Sequence, residues 1–265
     1  MPFVTVLSSD SDVRGALRGS FGAQAVGAAR SWERLGWLVR ERPVTGVVLD
    51  SDALPADAPA DAAVGELRRD FPSLATVLVA RPLTDPLSLF RLGRAGIDGL
   101  VLLPADDLAG VSVALRRALS RGTEAVVTRA VSAYLPRRET AAIRLALEGV
   151  QHGWHSEDLA AQVGLSRPHA SVRLRACGLP STGHLLVWAK LLHAGRWLAD
   201  PGRTAQSVSR QLEYSSGAAF RRTLRNYVGM TPTEVRTFGG LRPILSRFLD
   251  ACGLPDSLQA DLSVA

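Results

Sequence analysis

Residues 204–236 read TAQSVSRQLEYSSGAAFRRTLRNYVGMTPTEVR, and the punctuation of this stretch decides the fold of the carboxy-terminal half. Apolar residues recur at helical spacing on both sides of a short polar break. Thr204 is placed to cap a supporting helix that runs to Leu212, Tyr214 packs the turn, and Ser215 or Ser216 caps a second helix. In that second helix Phe220 and Leu224 face inward, while Gly217, Ala218, Arg221, Arg222 and Arg225 face out. Gly229 stops it, and Thr231-Pro232 opens another. This is helix-turn-helix grammar with a cationic face on the second helix.

A second unit with the same grammar lies upstream. Ser156–Val163 supplies a supporting helix with Leu159, Ala160 and Val163 on its buried stripe. Gly164 permits a left-handed turn, Leu165 plugs the core between the helices, and Ser166 is an N-cap with Pro168 in the first turn. Ala170 and Leu174 face inward, whereas Arg167, Pro168, Ser171, Val172 and Arg175 fall on the outer face, and Gly178 ends the helix. The helix between the units, His184–Ala199, is apolar at Leu185, Leu186, Trp188, Ala189, Leu192 and Trp197, so it packs on both. Trp188 and Trp197 read as core side chains rather than as base-stacking platforms.

The distribution of charge points to a partner. The chain carries 31 Arg/Lys against 25 Asp/Glu, a net charge of +6. Residues 1–122 hold 14 against 14, residues 123–265 hold 17 against 11, and within 137–236 the count is 14 against 7. Positive charge gathered in one half is the footprint of polyanion binding. Arginine in a major groove pairs bidentately with guanine or clamps a phosphate. The residues expected on double-stranded DNA are Arg167, His169, Ser171 and Arg175 in the first unit, with Ala218, Arg221, Arg222 and Arg225 in the second.

Residues 137–236 resemble the DNA-binding domain of AraC/XylS transcription regulators. The resemblance rests on DLAAQVGLSRPHASVRLRACG, on the Leu-rich linker helix ending in Leu198-Ala199, and on QLEY, AAFRR and YVGMTPTEVR. It implies two recognition helices about one DNA turn apart on one face of the duplex. Ser209 and Glu213 stand where that family usually has alanine and glycine, which implies a slightly remodelled second turn. Pro168, Ser171 and Val172 replace larger polar side chains, so the first unit is expected to read shape and phosphate more than base edges.

The first 120 residues alternate short apolar runs with helical patterns. Phe3–Leu7, a weak run near Gln24–Ala28, Gly46–Leu49, Ala75–Ala80 and Gly99–Leu103 read as strands, separated by amphipathic stretches. The fold class is α/β, a doubly wound, flavodoxin-like five-stranded parallel sheet, followed by an all-α domain. The expected organisation is 1–121 for the α/β domain, 122–136 for a helical linker, 137–238 for the DNA-binding domain and 239–265 for a helical tail.

Residues 1–121 resemble a response-regulator receiver domain. VTVLSSDSDVR matches the first strand and turn, TGVVLD puts Asp50 at the phosphoacceptor position, and AGIDGLVLLP matches the fifth strand with Pro104. Aspartyl phosphorylation needs clustered carboxylates for Mg²⁺, a lysine and a hydroxyl. Here Ser8-Ser9 replace the acidic pair, leaving Asp10 beside Asp50, while Leu103 and Val79 fill the lysine and hydroxyl positions. One extra residue separates Asp50 from Pro55. The expectation is a pseudo-receiver used for dimerisation, partner docking or small-ligand sensing. The alternative is a phosphorylation-dependent response regulator with Asp50 as acceptor.

Enzymatic function is not expected. The DNA-repair methyl acceptors that share this helix-turn-helix family need several metal-held cysteines, and this chain has only Cys177 and Cys252. Its five histidines show no repeated metal spacing, so neither metal nor cofactor is expected. Without a membrane-length apolar run or a secretion signal, the expected location is the bacterial cytoplasm, at the nucleoid. The expected partners are promoter or operator DNA, RNA polymerase and a second copy of the chain.

Overall fold

A computed structural model describes residues 3–55, 59–80, 86–103, 106–119, 122–150 and 152–255. Pro104, Arg121 and residues 256–265 of the expected tail lie outside the described residues. The chain divides into two compact units, one built from residues 1–122 with 200–207, the other from 123–199 with 208–265.

The first unit holds a five-stranded sheet, β1 (Phe3–Leu7), β2 (Val26–Ala29), β3 (Val44–Asp50), β4 (Ala75–Ala80) and β5 (Gly99–Leu102), in the order β2-β1-β3-β4-β5. All four ladders are parallel. This is the flavodoxin-like order, and its topological switch point lies between β1 and β3. Between the strands run α1 (Ser11–Phe21), α2 (Trp32–Glu41), α3 (Ala60–Asp70) and α4 (Pro86–Arg94), with α5 (Leu108–Leu119) after β5. β2 begins two residues later than the sequence suggests, because Ala23–Ala25 form a 3₁₀ turn first.

Alternation along the strands splits the core into two layers. Val4, Val6, Val48, Val77 and Val101 pack under α1 and α5 with Val13, Leu17, Val111 and Leu115. Leu7, Val47, Leu49 and Leu78 pack on the other side with Leu35, Val64, Leu67 and Leu92 of α2, α3 and α4.

The segment 200–207 completes this unit, although it lies inside the stretch 137–238 that the sequence reads as one domain. Arg203 is buried and pairs with Asp200 at 2.9 Å. Its guanidinium also donates to the carbonyls of Arg42 at 3.3 Å and Val44 at 2.9 Å. Asp200 accepts from the backbone N–H of Ser73 at 2.9 Å and from its hydroxyl at 2.7 Å. A Cβ on Gly202 would lie 2.5 Å from the Phe71 ring, so only glycine fits there.

The second unit is helical: α6 (Thr123–Ser132), α7 (Arg137–Val150), α8 (Ser156–Gln162), α9 (Arg167–Ala176), α10 (Thr182–Leu198), α11 (Ala205–Gln211), α12 (Gly217–Val228), α13 (Pro232–Thr237) and α14 (Leu241–Ala251). The first residues of α11 count with the other unit. α10 is the central post. Leu185, Leu186, Trp188, Ala189, Leu192 and Trp197 are all buried, as the sequence requires. His193 on α10 hydrogen-bonds the Leu147 carbonyl of α7 at 3.0 Å. The Trp188 ring meets Tyr227 of α12 edge-on at 5.2 Å and Phe248 of α14 at 5.6 Å. α14 is therefore part of this core, with Ile244, Leu245, Phe248 and Leu249 buried. Backbone meets backbone where α14 begins: a Cβ on Gly240 would sit 2.6 Å from the Gly195 carbonyl. No helix among the described residues is long and apolar enough to cross a membrane.

Candidate nucleic-acid interface

Two helix-turn-helix units, α8–α9 and α11–α12, carry the predicted reading residues. The supporting helices of the two units end alike, with the N–H groups of Gly164 and Leu165 bonding Ala161 and Ala160, and those of Glu213 and Tyr214 bonding Arg210 and Ser209. Gly164 takes φ 71° in the first, and Glu213 takes φ 56° in the second, the single non-glycine residue at positive φ among the described residues. Glutamate thus occupies the left-handed geometry that glycine adopts freely. Beyond that residue the turns differ: the capping serine follows two positions after Gly164 but three after Glu213.

In the second unit the local chemistry follows the sequence closely. Thr204 Oγ1 accepts from the Ser207 N–H at 3.0 Å. Ser216, rather than Ser215, caps α12, accepting from the Ala219 N–H at 3.1 Å. Tyr214 packs the turn against Phe220, ring centroids 5.3 Å apart. Phe220 and Leu224 are fully buried. Gly229 closes the helix at φ 78°, and Thr231 with Glu234 forms a reciprocal capping box for α13. Ala218, Arg221, Arg222 and Arg225 are exposed. Gly217 is buried, not outward-facing, because it occupies the first helical position where the chain still lies against the turn. Among the described residues neither Arg221 nor Arg222 enters an ion pair, so both guanidiniums remain available to an outside acceptor.

The first unit differs. Leu159, Ala160, Ala170 and Leu174 are buried as expected, but Val163 and Leu165 are only half-buried. They line a cavity of about 470 Å³ between α7, α8 and α9 instead of filling it. Ser166 holds the N-cap position without a side-chain cap, because its hydroxyl instead bonds His169 Nδ1 at 3.0 Å. Arg167 pairs with Glu157 at 3.0 Å, and Arg175 donates to the Ser171 carbonyl at 3.2 Å. Ser171 is half-buried, its hydroxyl 3.0 Å from Thr182 Oγ1, so it turns toward α10 and not outward. Arg173, absent from the predicted set, pairs with buried Glu139 at 3.3 Å. The predicted residues of this unit are engaged within the protein, whereas those of α12 stand clear.

His184 Nδ1 and the Tyr227 hydroxyl lie 2.5 Å apart and join the start of α10 to α12. Sequence reasoning assigned neither residue a role, and the 43 positions between them leave no local signal.

In the α/β unit the residues at the switch point surround Asp50. Asp50 is 2% exposed. Its Oδ2 accepts from the Ser8 hydroxyl at 2.6 Å and its Oδ1 from the Asp52 N–H at 3.2 Å. Asp10 serves as N-cap of α1, accepting from the Asp12 N–H at 2.8 Å, and its own N–H donates to Ser8 Oγ at 3.0 Å. Thr76, Val77 and Leu78 precede the buried Val79, which supplies no hydroxyl. Divalent magnesium prefers several oxygen ligands on open coordination positions. Two carboxylates committed to a serine and to helix capping do not make that donor set, so this site does not fit the ion.

Residues 159–237 match the family model described as "Helix-turn-helix domain". The chain is 33% identical over 86 residues to the HTH-type transcriptional regulator VirS of Mycobacterium tuberculosis. That alignment covers 32% of this chain and 25% of the relative, so the chain spans about a quarter of the curated protein it matches. Residues 159–237 are an AraC-type helix-turn-helix domain. The matched residues begin within α8 and end with α13, and α14 lies beyond them. Among solved structures, RcsB of Salmonella enterica serovar Typhimurium, bound to promoter rprA, is similar at 16% identity and TM-score 0.36. That likeness covers 69% of this chain and 96% of RcsB. A putative pilus assembly-related protein of Burkholderia pseudomallei is similar at 21% identity and TM-score 0.37, over 46% of this chain and 92% of that one.

Proposed function

We propose that this chain is a sequence-specific, DNA-binding transcription regulator whose α/β unit acts without aspartyl phosphorylation. The observation that carries the reading is the exposed, unpaired Arg221–Arg222 face of a helix capped by Ser216 and stopped by Gly229. Such a face delivers planar guanidinium donors to a major groove, where guanine O6 and N7 accept both. α12 is the principal base reader, while Arg167 and Arg175 of α9 contact the backbone. Because the operators of such proteins are commonly paired, the working form is a dimer on promoter DNA, within reach of RNA polymerase. The closed state of Asp50 supports an input other than phosphate, such as a partner protein or a small ligand.

The test is binding of purified full-length protein to a duplex recovered by selection from a random pool, against a random-sequence duplex. Arg222→Ala should lose about 1–3 kcal/mol on the selected duplex and much less on the random one. Equal losses on the two duplexes would remove α12 from base readout.

A further inference from the structure

The AraC-type region contains a second polar feature that the base-reading face does not use. A cavity of about 340 Å³ opens between Arg167 and Ser171 of α9, Ser181 to His184 at the start of α10, and Tyr227 of α12. Its walls therefore come from both recognition helices. Every titratable or polar side chain in its lining can donate a hydrogen bond, and no carboxylate lines it.

The hydrogen-bond accounting leaves protons over. Ser171 Oγ and Thr182 Oγ1 share one bond at 3.0 Å, so of their two hydroxyl hydrogens one has no place in it. The His184–Tyr227 pair behaves alike. If the phenol donates to Nδ1, then Nε2 carries a hydrogen; if Nδ1 donates, the phenol hydrogen is released. Either arrangement leaves a donor. Arg167 adds a guanidinium whose partner, Glu157, is an exposed side chain outside the cavity, and exposed pairs of this kind hold loosely. Surplus donors with one cation and no acid call for an anionic, acceptor-only group.

We infer that this cavity seats a phosphodiester of the DNA strand passing between the two recognition helices, held by Arg167 and the His184–Tyr227 pair. Helices in successive major-groove segments straddle a ridge of sugar and phosphate, and a cavity walled by both meets that ridge. The seat fixes the spacing of the two readers on DNA but carries no sequence information. This inference rests on the DNA-binding reading above.

The experiment measures binding of full-length wild type, Arg167→Gln and the double variant His184→Ala/Tyr227→Phe to the selected and random duplexes across a salt series. Circular dichroism melts check folding, and Arg167, being exposed, guards against a misfolded double variant. The double variant should weaken binding about 10–100-fold on both duplexes alike, as expected for hydrogen bonds to a charged group. Arg167→Gln should flatten the dependence of log affinity on log salt by about one. A scan placing one uncharged methylphosphonate at a time in the selected duplex should reveal a position to which wild type is sensitive and the double variant is not.

Folded variants that bind both duplexes like wild type, or that keep every methylphosphonate sensitivity, would overturn the seat while leaving the regulator reading intact. A saturable shift of the His184 ring resonances with inorganic phosphate, coupled to unchanged DNA affinity in the variants, would make the cavity an ion site and overturn it as well. Failure of wild type to retain any duplex would remove the regulator reading itself, and the seat with it.

Discussion

The Ser8 hydroxyl donates to Asp50 Oδ2 across 2.6 Å, and both side chains are buried. With the Asp52 N–H on Oδ1, this bond leaves both carboxylate oxygens engaged within the protein. Incubation of the full chain with acetyl phosphate and Mg²⁺ should therefore give no phosphoryl mass gain on Asp50. Ser8→Ala should destabilise the protein by about 1–3 kcal/mol, because the buried carboxyl keeps its desolvation and loses a donor. Urea unfolding reads the second result, and intact-mass spectrometry the first.

Glu213 sits at φ 56° where the equivalent turn of the first unit has Gly164 at φ 71°. A side chain in this region costs about 1–2 kcal/mol, and the greater freedom of unfolded glycine gives back about 0.5–1 kcal/mol. Glu213→Gly should thus raise stability by about 0.5–1 kcal/mol, and Gly164→Ala should lower it by about 1 kcal/mol. Thermal melts of the two variants with opposite signs would establish the shared turn; a loss in both would refute it.

The core of the helical unit contains an acid-sensitive residue. Burial pushes His193 down from 6.5 to about 4, although its bond to the Leu147 carbonyl works the other way. Above pH 6.5 both the folded and unfolded states leave the ring neutral, so it has no effect on stability there. Between 6.5 and 4 the unfolded chain binds a proton that the folded chain refuses, and stability falls with pH, by about 3 kcal/mol at the lower end. His193→Gln should remove that part of the slope between pH 7.5 and 5 in urea titrations. An unchanged slope would mean that the ring is protonated in place.

Arg203 and Asp200 are wholly buried. Arg203→Met leaves the Asp200 carboxylate without its cation and should cost about 3–5 kcal/mol, whereas adding Asp200→Asn to the same chain should recover part of it. Denaturant unfolding of the single and double variants measures the coupling. Strict additivity would show that the pair does not act as one.

The sequence was legible wherever structure depends on neighbours along the chain. The caps at Thr204, Ser216 and Thr231 and the stop at Gly229 are local events, and each sits where the residues place it. The five strands follow from apolar runs buried on two faces, although β3 starts two residues before its run and β2 two residues late, its small residues giving a weak signal. Long-range pairings were not legible. Nothing near Ser171 announces that its hydroxyl turns to Thr182, eleven positions away. α14 falls within the expected helical tail, but its packing against Trp188 was not visible. Arg203 carries no local sign of its burial, since the carbonyls it reaches are about 160 positions upstream.

That last distance has a consequence for synthesis. The polypeptide emerges from the ribosome amino terminus first, and domains ordinarily fold in that order. Here residues 1–122 can assemble their sheet early, but Ser73 and the carbonyls of Arg42 and Val44 wait for Asp200 and Arg203. By then the whole first reading unit and α10 have already been made. The backbone passes between the two units at three points, after residues 122, 199 and 207. A fragment cut at residue 123 would carry an orphaned Asp200–Ser207, and the fragment before it would lack its last piece. These units are separable in space but interleaved in time.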